Sequence, residues 1–209
     1  MINNLSLKIQ NHRSYLQFLL ILVPVIYGIL GKSLSVAIFA AITAIVVALD
    51  YMRHGNIAVK NLFEKIFNLV LKPEEIAKQK LSPASWLVIA ICVNFLFFSP
   101  EIAVTAFLIL AISDSSATII GKKFPSQPFF EKTLNGSIAF LVTAVIILIF
   151  CGLIYHARFW FYFFGLFAVV VITLMEARPT FTKIDDNFVI PIAFSTVMTM
   201  FDLIWNHYY

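Results

Sequence analysis

Residues 137–175 read SIAFLVTAVIILIFCGLIYHARFWFYFFGLFAVVVITLM, two long apolar runs separated by a short break at His156–Arg158. Each run approaches the roughly 20 residues that an α-helix needs to cross a bilayer. Because lipid offers no hydrogen bonds to the backbone, a run of this kind predicts a membrane-spanning helix. The stretch therefore favours an all-α membrane protein.

The composition of the whole chain agrees with this interpretation. Of its 209 residues, 61% are hydrophobic and only 12% are charged, with a mean hydropathy of +0.92. Soluble domains are usually about 45–50% apolar. We therefore expect a single membrane domain over residues 1–209, a polytopic integral membrane helical bundle without a second soluble domain.

Seven apolar runs are long enough, or nearly so, to span a bilayer. They are Tyr15–Leu30, Ser33–Leu49, Ser85–Phe98, Glu101–Thr118, Ser137–Tyr155, Phe159–Met175 and Phe188–Trp205. Only Gly31-Lys32 separates the first two runs, which predicts a tight helical hairpin. The third run is short, and we expect its helix to begin near Pro83.

One long polar stretch, residues 51–82, lies between the second and third runs. Its apolar residues recur at three- and four-residue intervals over Asn56–Leu71, and lysines occupy the other positions. This pattern predicts an amphipathic helix that lies in the membrane interface, within a cytoplasmic helix and loop at residues 56–80. Pro73 is expected to end this helix, and Pro73-Glu74-Glu75 to begin another.

The positive charges predict how the chain is oriented. When alternate loops are assigned to opposite sides, all but Lys32 and Arg158 of the 15 lysines and arginines fall on one side. The positive-inside rule then predicts a cytoplasmic N-terminus and an external C-terminus, in a bacterial-type inner membrane or an ER-like membrane. The net charge of +4 lies at the membrane face, which fits anionic lipid and not nucleic acid.

Asp114 is the most unusual residue of the apolar runs. A carboxylate at membrane depth costs roughly 2.5–3.5 kcal/mol on insertion scales, so it usually has a function. Nearly all the other acids also fall on the cytoplasmic side. Four groups of polar residues are expected to meet at that face: Asp50 with Arg53; Asp114; Lys122, Lys123 and Lys132–Ser137; and Glu176 with Asp185, Asp186 and Asn187.

This combination of groups is typical of phosphoryl transfer from a nucleotide, which needs a divalent cation and positive charge on the phosphates. Carboxylates that would hold the cation are Asp114, Glu176 and Asp186, and lysines that would cover the phosphates are Lys122, Lys123 and Lys132. Gly121 and Gly136 would let the backbone approach closely, and Ser137 would begin a helix whose N-terminus faces an anion.

Each element also has a purely structural interpretation. Lys122-Lys123 fits a pair of charges that sets membrane orientation. Asp185-Asp186-Asn187 fits a turn with an N-cap, and Asp50 with Arg53 fits a structural ion pair. The small residues around Asp114 also suit helix packing.

Two motifs resemble the family of polyprenol and dolichol kinases, phytol kinases and CTP-dependent diacylglycerol kinases. They are Asp114-Ser-Ser-Ala-Thr-Ile-Ile-Gly-Lys-Lys-Phe124 and Glu131-Lys-Thr-Leu-Asn-Gly-Ser137. The family reads Asp-small-Ala-small, two hydrophobic residues, Gly-basic-basic-Phe-Gly, and then Lys-Thr/Ser-hydrophobic-Glu-Gly-Ser. Further similar stretches are Leu71–Glu75 with Leu81–Ser85, and Glu176 with Asp185–Pro191. The chain differs from the pattern at Pro125, Glu131 and Asn135.

The resemblance implies an integral membrane kinase that phosphorylates a lipid alcohol, such as a polyprenol, a phytol-like isoprenoid or diacylglycerol. It implies CTP as the phosphoryl donor and Mg²⁺ or another divalent cation as cofactor. The matching catalytic positions are Asp114, Lys132 and Asp186, and the nucleotide-binding positions are Gly121, Lys122, Lys123, Lys132, Thr133, Gly136 and Ser137. Further candidate site residues are Asp50, Arg53, Glu74 and Asn187.

Two other functions stay open from the sequence. A cytidylyltransferase that forms a CDP-lipid is a more distant relative of the same family and shares the Lys-Thr-x-x-Gly motif. A non-catalytic lipid-binding or transport protein would instead place acids along a route through the bilayer. Here nearly all the acids lie at one face, which favours an enzyme.

Overall fold

The computed structural model describes residues 19–67, 81–179 and 184–208, which are mostly helical. After a 3₁₀ turn at Leu19–Ile21, the helices are α1 (Leu22–Met52), α2 (Ile57–Phe67), α3 (Pro83–Phe97), α4 (Pro100–Leu108), α5 (Ser115–Lys123), α6 (Leu134–Ile154), α7 (Phe159–Ala177) and α8 (Asp186–Tyr208). A π-helical segment, Ile109–Asp114, joins α4 to α5. Two short strands, β1 (Pro128–Phe129) and β2 (Lys132–Thr133), pair antiparallel before α6.

The all-α polytopic fold is confirmed. Within the described residues, five helical stretches are long and apolar enough to cross a membrane: Leu22–Met52, Pro100–Lys123, Leu134–Ile154, Phe159–Ala177 and Asp186–Ile204. Helix α3 is also apolar but has 15 residues, fewer than a full span requires. As far as the chain is described, the predicted runs all fall on these helices, and the first two share α1.

Helix α1 is broken at Gly31, whose φ of 74° and ψ of 171° are not helical. The rings of Tyr27 and Phe39 both contact the ring of Phe95, with centroid distances of 4.6 and 5.5 Å. In a straight helix, residues 27 and 39 would lie about 18 Å apart along the axis. The chain therefore turns back at Gly31, as the predicted hairpin requires, and the positive φ explains the glycine there.

The helix Pro100–Lys123 forms the centre of the bundle. Its apolar window is 67% buried, whereas that of α1 is 17% buried and faces mostly outward. Large side chains without exposed surface fill the core around it: Phe95, Phe107, Phe140 and Phe194. Asn94 also joins α3 to α8, because its side chain donates to the carbonyl of Pro191 and accepts from the Ser195 hydroxyl.

Asp50 and Arg53 form a buried ion pair that joins three helices. One carboxylate oxygen of Asp50 accepts from Arg53 Nε, and the other accepts from the Ser82 N–H at 2.7 Å and from the Ser85 hydroxyl. The Arg53 guanidinium lies over the ring of Phe63, 5.1 Å from its centroid. Both carboxylate oxygens have partners, so this cluster has the structural role that the sequence left open.

The predicted amphipathic helix appears as α2. The Asn56 side chain accepts hydrogen bonds from the N–H groups of Ala58 and Val59, which marks the start of the helix. Phe63 is fully buried against Ala84, whereas Ile57 is 79% exposed. Residues 68–80, with the predicted break at Pro73 and the candidate residue Glu74, lie outside the described residues.

We predict that Asp50→Asn destabilises the protein by about 3–5 kcal/mol, since it removes the buried carboxylate charge that pairs with the Arg53 guanidinium. The free energy of unfolding in mixed detergent micelles measures this effect. The control is Glu64→Gln, which removes an exposed ion pair with Lys60 and should cost at most about 1 kcal/mol. A cost of about 1 kcal/mol or less for Asp50→Asn would contradict the structural role.

Candidate functional site

A cavity of about 420 Å³ opens at what we call the charged end of the bundle, where α5 ends and α6 begins. Its walls are Ala117, Thr118, Gly121, Lys122, Glu131, Lys132, Thr133, Gly136 and Glu176. Most of the predicted nucleotide-binding residues are among them, and so is one predicted cation ligand, Glu176. The fold thus gathers residues from α5, the β-hairpin with the start of α6, and the end of α7 around one space.

The centre of this wall is an ion pair between Lys132 and Glu176. Lys132 Nζ lies 2.8 Å from Glu176 Oε1, and the carboxylate side chain is only 3% exposed whereas that of the lysine is 34% exposed. Strand β2 places the lysine and the last turn of α7 places the glutamate. The pair therefore fastens the hairpin to α7 and still leaves the lysine accessible from the cavity.

Lys132 is surrounded by negative charge. Burial disfavours its ammonium form, but the charges of Glu176, Asp114 and Asp186 favour it more strongly and raise the pKa of Lys132 above its ordinary value. Lys132 is therefore a cation at neutral pH. Three carboxylates predicted from separate spans thus act electrostatically on one lysine.

The three carboxylates do not form a ready-made metal site, and Asp114 and Asp186 are not among the residues that line the cavity. In the described part of the chain, no group of three or more His, Cys, Asp or Glu side chains is close enough to hold a metal ion. The oxygen donors nevertheless fit a hard divalent cation, because Glu176 Oε2 is buried and has no hydrogen-bond partner among these residues. Asp114 and Asp186 are the carboxylates that would hold the cation with it.

The β-hairpin between α5 and α6 was not predicted. Pro128 pairs with Thr133 and Phe129 with Lys132, so Phe130 and Glu131 form the turn. Phe130 has a φ of 54°, an unfavourable value for a bulky residue. The Glu131 N–H donates to the carbonyl of Ala177 at 3.0 Å, which holds the strained turn against the end of α7. Glu131 lines the cavity beside Lys132, a placement that the sequence did not reveal.

Gly121 and Gly136 lie where α5 and α6 pack closely together. A Cβ atom on Gly136 would lie 3.0 Å from Thr133 Oγ1 and 3.1 Å from the carbonyl oxygen of Ala117. A Cβ atom on Gly121 would lie 2.7 Å from the same hydroxyl. The glycines therefore have a packing role in addition to the predicted access for phosphate.

The first amides of α6 do not have the predicted role. The helix begins at Leu134 rather than at Ser137, and the Thr133 side chain caps it by accepting from the Gly136 N–H. The N–H groups of Leu134 and Asn135 donate to the Gln127 carbonyl and the Ser126 hydroxyl. These N–H groups therefore already have hydrogen-bond acceptors within the protein. Only the field of the helix dipole remains to favour an anion here.

Asn135, a departure from the family pattern, has a structural role in this loop. Its side-chain nitrogen donates to the carbonyl of Phe124 at 3.0 Å. Together with the bond from its N–H to Ser126, this contact closes the chain between α5 and α6. The amide thereby holds the loop that carries the hairpin.

Several predicted residues lie away from the cavity walls. Lys122 lines the cavity, but Lys123 does not, because its ammonium lies over the ring of Phe124, 5.5 Å from the centroid. Asn187 donates its backbone N–H to Asp185, so these residues form the alternative that the sequence offered, a capped helix start. Asp50 and Arg53 belong to the structural cluster described above.

Glu176 Oε2, in the cavity wall, and two buried hydroxyls on segments that continue into that wall, Ser113 Oγ and Ser137 Oγ, have no hydrogen-bond partner among the described residues. They come from the π-helical segment, α6 and α7. An unsatisfied buried polar group costs about 1–3 kcal/mol, so such groups usually have a ligand or an ordered water. This end of the bundle thus has hydrogen-bonding capacity that fits a polar ligand.

Comparisons with known proteins do not assign a family. The chain is 26% identical over 190 residues to an uncharacterized protein of Rickettsia prowazekii (strain Madrid E), a match that covers 88% of this chain and 90% of that protein. No protein-family model matches the chain. No solved structure matches it either.

We predict that Gly136→Ala lowers stability by about 1–3 kcal/mol, because the new methyl group meets the backbone of α5. The matched control is Gly28→Ala, which also lies in a helix but would meet no described residue within 4 Å. That change should be neutral or stabilise by up to about 1 kcal/mol. Thermal unfolding in detergent compares the two variants, and equal midpoints would argue against close packing at Gly136.

Proposed function

We propose that this protein is a nucleotide-dependent lipid-alcohol kinase whose active site is the cavity at the charged end of the bundle. The observation that carries the proposal is the Lys132–Glu176 ion pair. It holds a protonated lysine at the wall of a cavity, within the field of further carboxylates. Phosphoryl transfer needs this combination of a cation for the phosphates and acids for a metal ion and a proton.

Lys132 and Lys122 would bind the phosphates of the nucleotide. Both line the cavity, and the dipole of α6 adds favourable field for an anion at the same place. Lys123 is assigned no phosphate contact, because it lies outside the cavity. CTP is the proposed donor on the basis of the family resemblance.

Asp114 and Asp186, with the unpaired oxygen of Glu176, would hold Mg²⁺. When bound, the cation would neutralise charge on the phosphates. The lipid alcohol would reach the cavity from the apolar surface of the bundle. Its hydroxyl oxygen forms a bond to the γ-phosphorus, and the bond from that phosphorus to the oxygen that bridges the β- and γ-phosphates breaks. A carboxylate of the cluster takes the hydroxyl proton.

The membrane arrangement belongs to the same proposal. The charged end would face the cytoplasm, where nucleotide is available, with the N-terminus inside and the C-terminus outside. The amphipathic helix α2 would border the lipid access route, because Phe63 anchors it to the bundle whereas Ile57 and Ile66 stay exposed. The exposed apolar surface of the helices fits a long acyl or isoprenoid chain but does not select among polyprenol, phytol-like and diacylglycerol acceptors.

The test uses purified protein with Mg²⁺, a panel of lipid alcohols, and CTP labelled on either the γ- or the α-phosphate. We expect transfer of the γ-label. Asp114→Asn and Lys132→Met should each lower the rate by about 10²–10³-fold, because each removes a charge aimed at the phosphates or their metal ion. Lys32→Met is the control, since Lys32 is exposed beside Gly31, away from the cavity.

Transfer of the α-label with CMP would instead identify a CDP-lipid-forming cytidylyltransferase. Full activity of Asp114→Asn would overturn the site assignment. If no nucleotide transferred label or stabilised the protein in the presence of Mg²⁺, a non-catalytic lipid-binding or transport function would replace the kinase proposal.

A further inference from the structure

A second cavity, of about 390 Å³, lies at the opposite end of the bundle. It is bounded by the starts of α4 and α7 and by the ends of α6 and α8. Along the central helix, the rise over residues 101–117 separates the two cavities by about 24 Å. The proposed kinase chemistry does not use this second space.

The second cavity is lined by charges of both signs. Glu101 and Asp202 contribute carboxylates from α4 and α8, and Arg158 contributes a guanidinium from the turn between α6 and α7. Within residues 19–67, 81–179 and 184–208, no ion pair joins the arginine to either acid. A ligand that carries both charges would therefore find a counter-charge at each side of the cavity.

Aromatic rings form one wall of this space. Trp160 stacks on Phe164 with a centroid distance of 5.9 Å and an angle of 25°, and Phe164 stacks on Phe201 at 4.1 Å and 7°. An ammonium group within about 6 Å of an indole face is attracted by the ring quadrupole. The wall thus adds to the attraction of the two carboxylates for an organic cation.

We propose that this cavity binds the headgroup of a zwitterionic aminophospholipid. The primary ammonium has three N–H donors for Glu101 and Asp202, and the phosphate pairs with Arg158. Apolar side chains beside the cavity are available for the acyl chains, since Phe159 is 70% exposed and Leu153 is 63% exposed. A membrane lipid is the favoured source of this headgroup for that reason.

Native mass spectrometry of the full chain in detergent tests the proposal with phosphatidylethanolamine, phosphatidylcholine and phosphatidylglycerol at equal concentrations. We expect phosphatidylethanolamine to bind about 10–100-fold more tightly than phosphatidylglycerol, as charged hydrogen bonds allow. The double variant Glu101→Gln/Asp202→Asn should lose this preference. Glu64→Gln, on α2, is the matched control and should retain it.

Equal binding of the three lipids, or an unchanged preference in the double variant, would overturn the proposal. Phosphatidylcholine binding as tightly as phosphatidylethanolamine would overturn the assignment of a primary ammonium. Soluble glycerophosphoethanolamine should compete only weakly, because it lacks acyl chains. If it bound as tightly as phosphatidylethanolamine, the inference that the headgroup belongs to a membrane lipid would be overturned. Thermal unfolding of the double variant checks that its fold is intact.

Discussion

A polar group inside a lipid-embedded bundle must find its partner within the protein, and this constraint governs how the helices are joined. Helix association in lipid gains little from the hydrophobic effect, so close packing and polar contacts carry more of it. Here the polar contacts join segments that are distant in sequence: Asp50 to Ser82, Asn94 to Pro191, and Lys132 to Glu176. Because Gly121 and Gly136 have no side chains, α5 and α6 can approach closely beside the Lys132–Glu176 pair.

In the part of the chain that the structure describes, two buried carboxylates form ion pairs, and they differ in whether both of their oxygens have partners. Asp50 has partners on both of its oxygens, supplied by an arginine, a backbone amide and a hydroxyl. Among the described residues, Glu176 has a partner on one oxygen only, and its other oxygen is buried beside a cavity. A fully satisfied cluster holds helices in place, whereas a partly satisfied one at a cavity retains capacity for a ligand.

The spans could be predicted because each is a long apolar run, and the turn at Gly31 because two such runs are almost contiguous. The β-hairpin could not be predicted, because strands of two residues leave no periodic pattern. The structural role of Asp50 depends on contacts with Ser82 and Ser85, which lie at the far end of the long polar stretch and just beyond it. Lys123 was assigned with Lys122 because they are adjacent, but adjacent positions on a helix point in different directions.

The sequence predicted which residues come together at the cavity better than it predicted how they are arranged there. Charge and spacing grouped Gly121, Lys132 and Glu176, and the fold brings all three to one cavity. The sequence could not show that the first amides of α6 bond to Ser126, Gln127 and Thr133. Which amides lack an intrahelical acceptor depends on where the helix begins. The helix begins at Leu134, three residues before the predicted start at Ser137.

The π-helical segment Ile109–Asp114 also sets the angular phase of the central helix. A π-helical turn closes i→i+5 hydrogen bonds, so it takes up an extra residue compared with an α-helical turn. Each residue of an α-helix rotates by about 100°, so α5 is rotated by roughly that angle relative to an unbroken continuation of α4. The two α-helical parts of this continuous helix therefore direct their buried faces toward different parts of the bundle. The α4 part is directed into the apolar core, and the α5 part brings Ala117 and Gly121 to the cavity, with Asp114 at the junction between them.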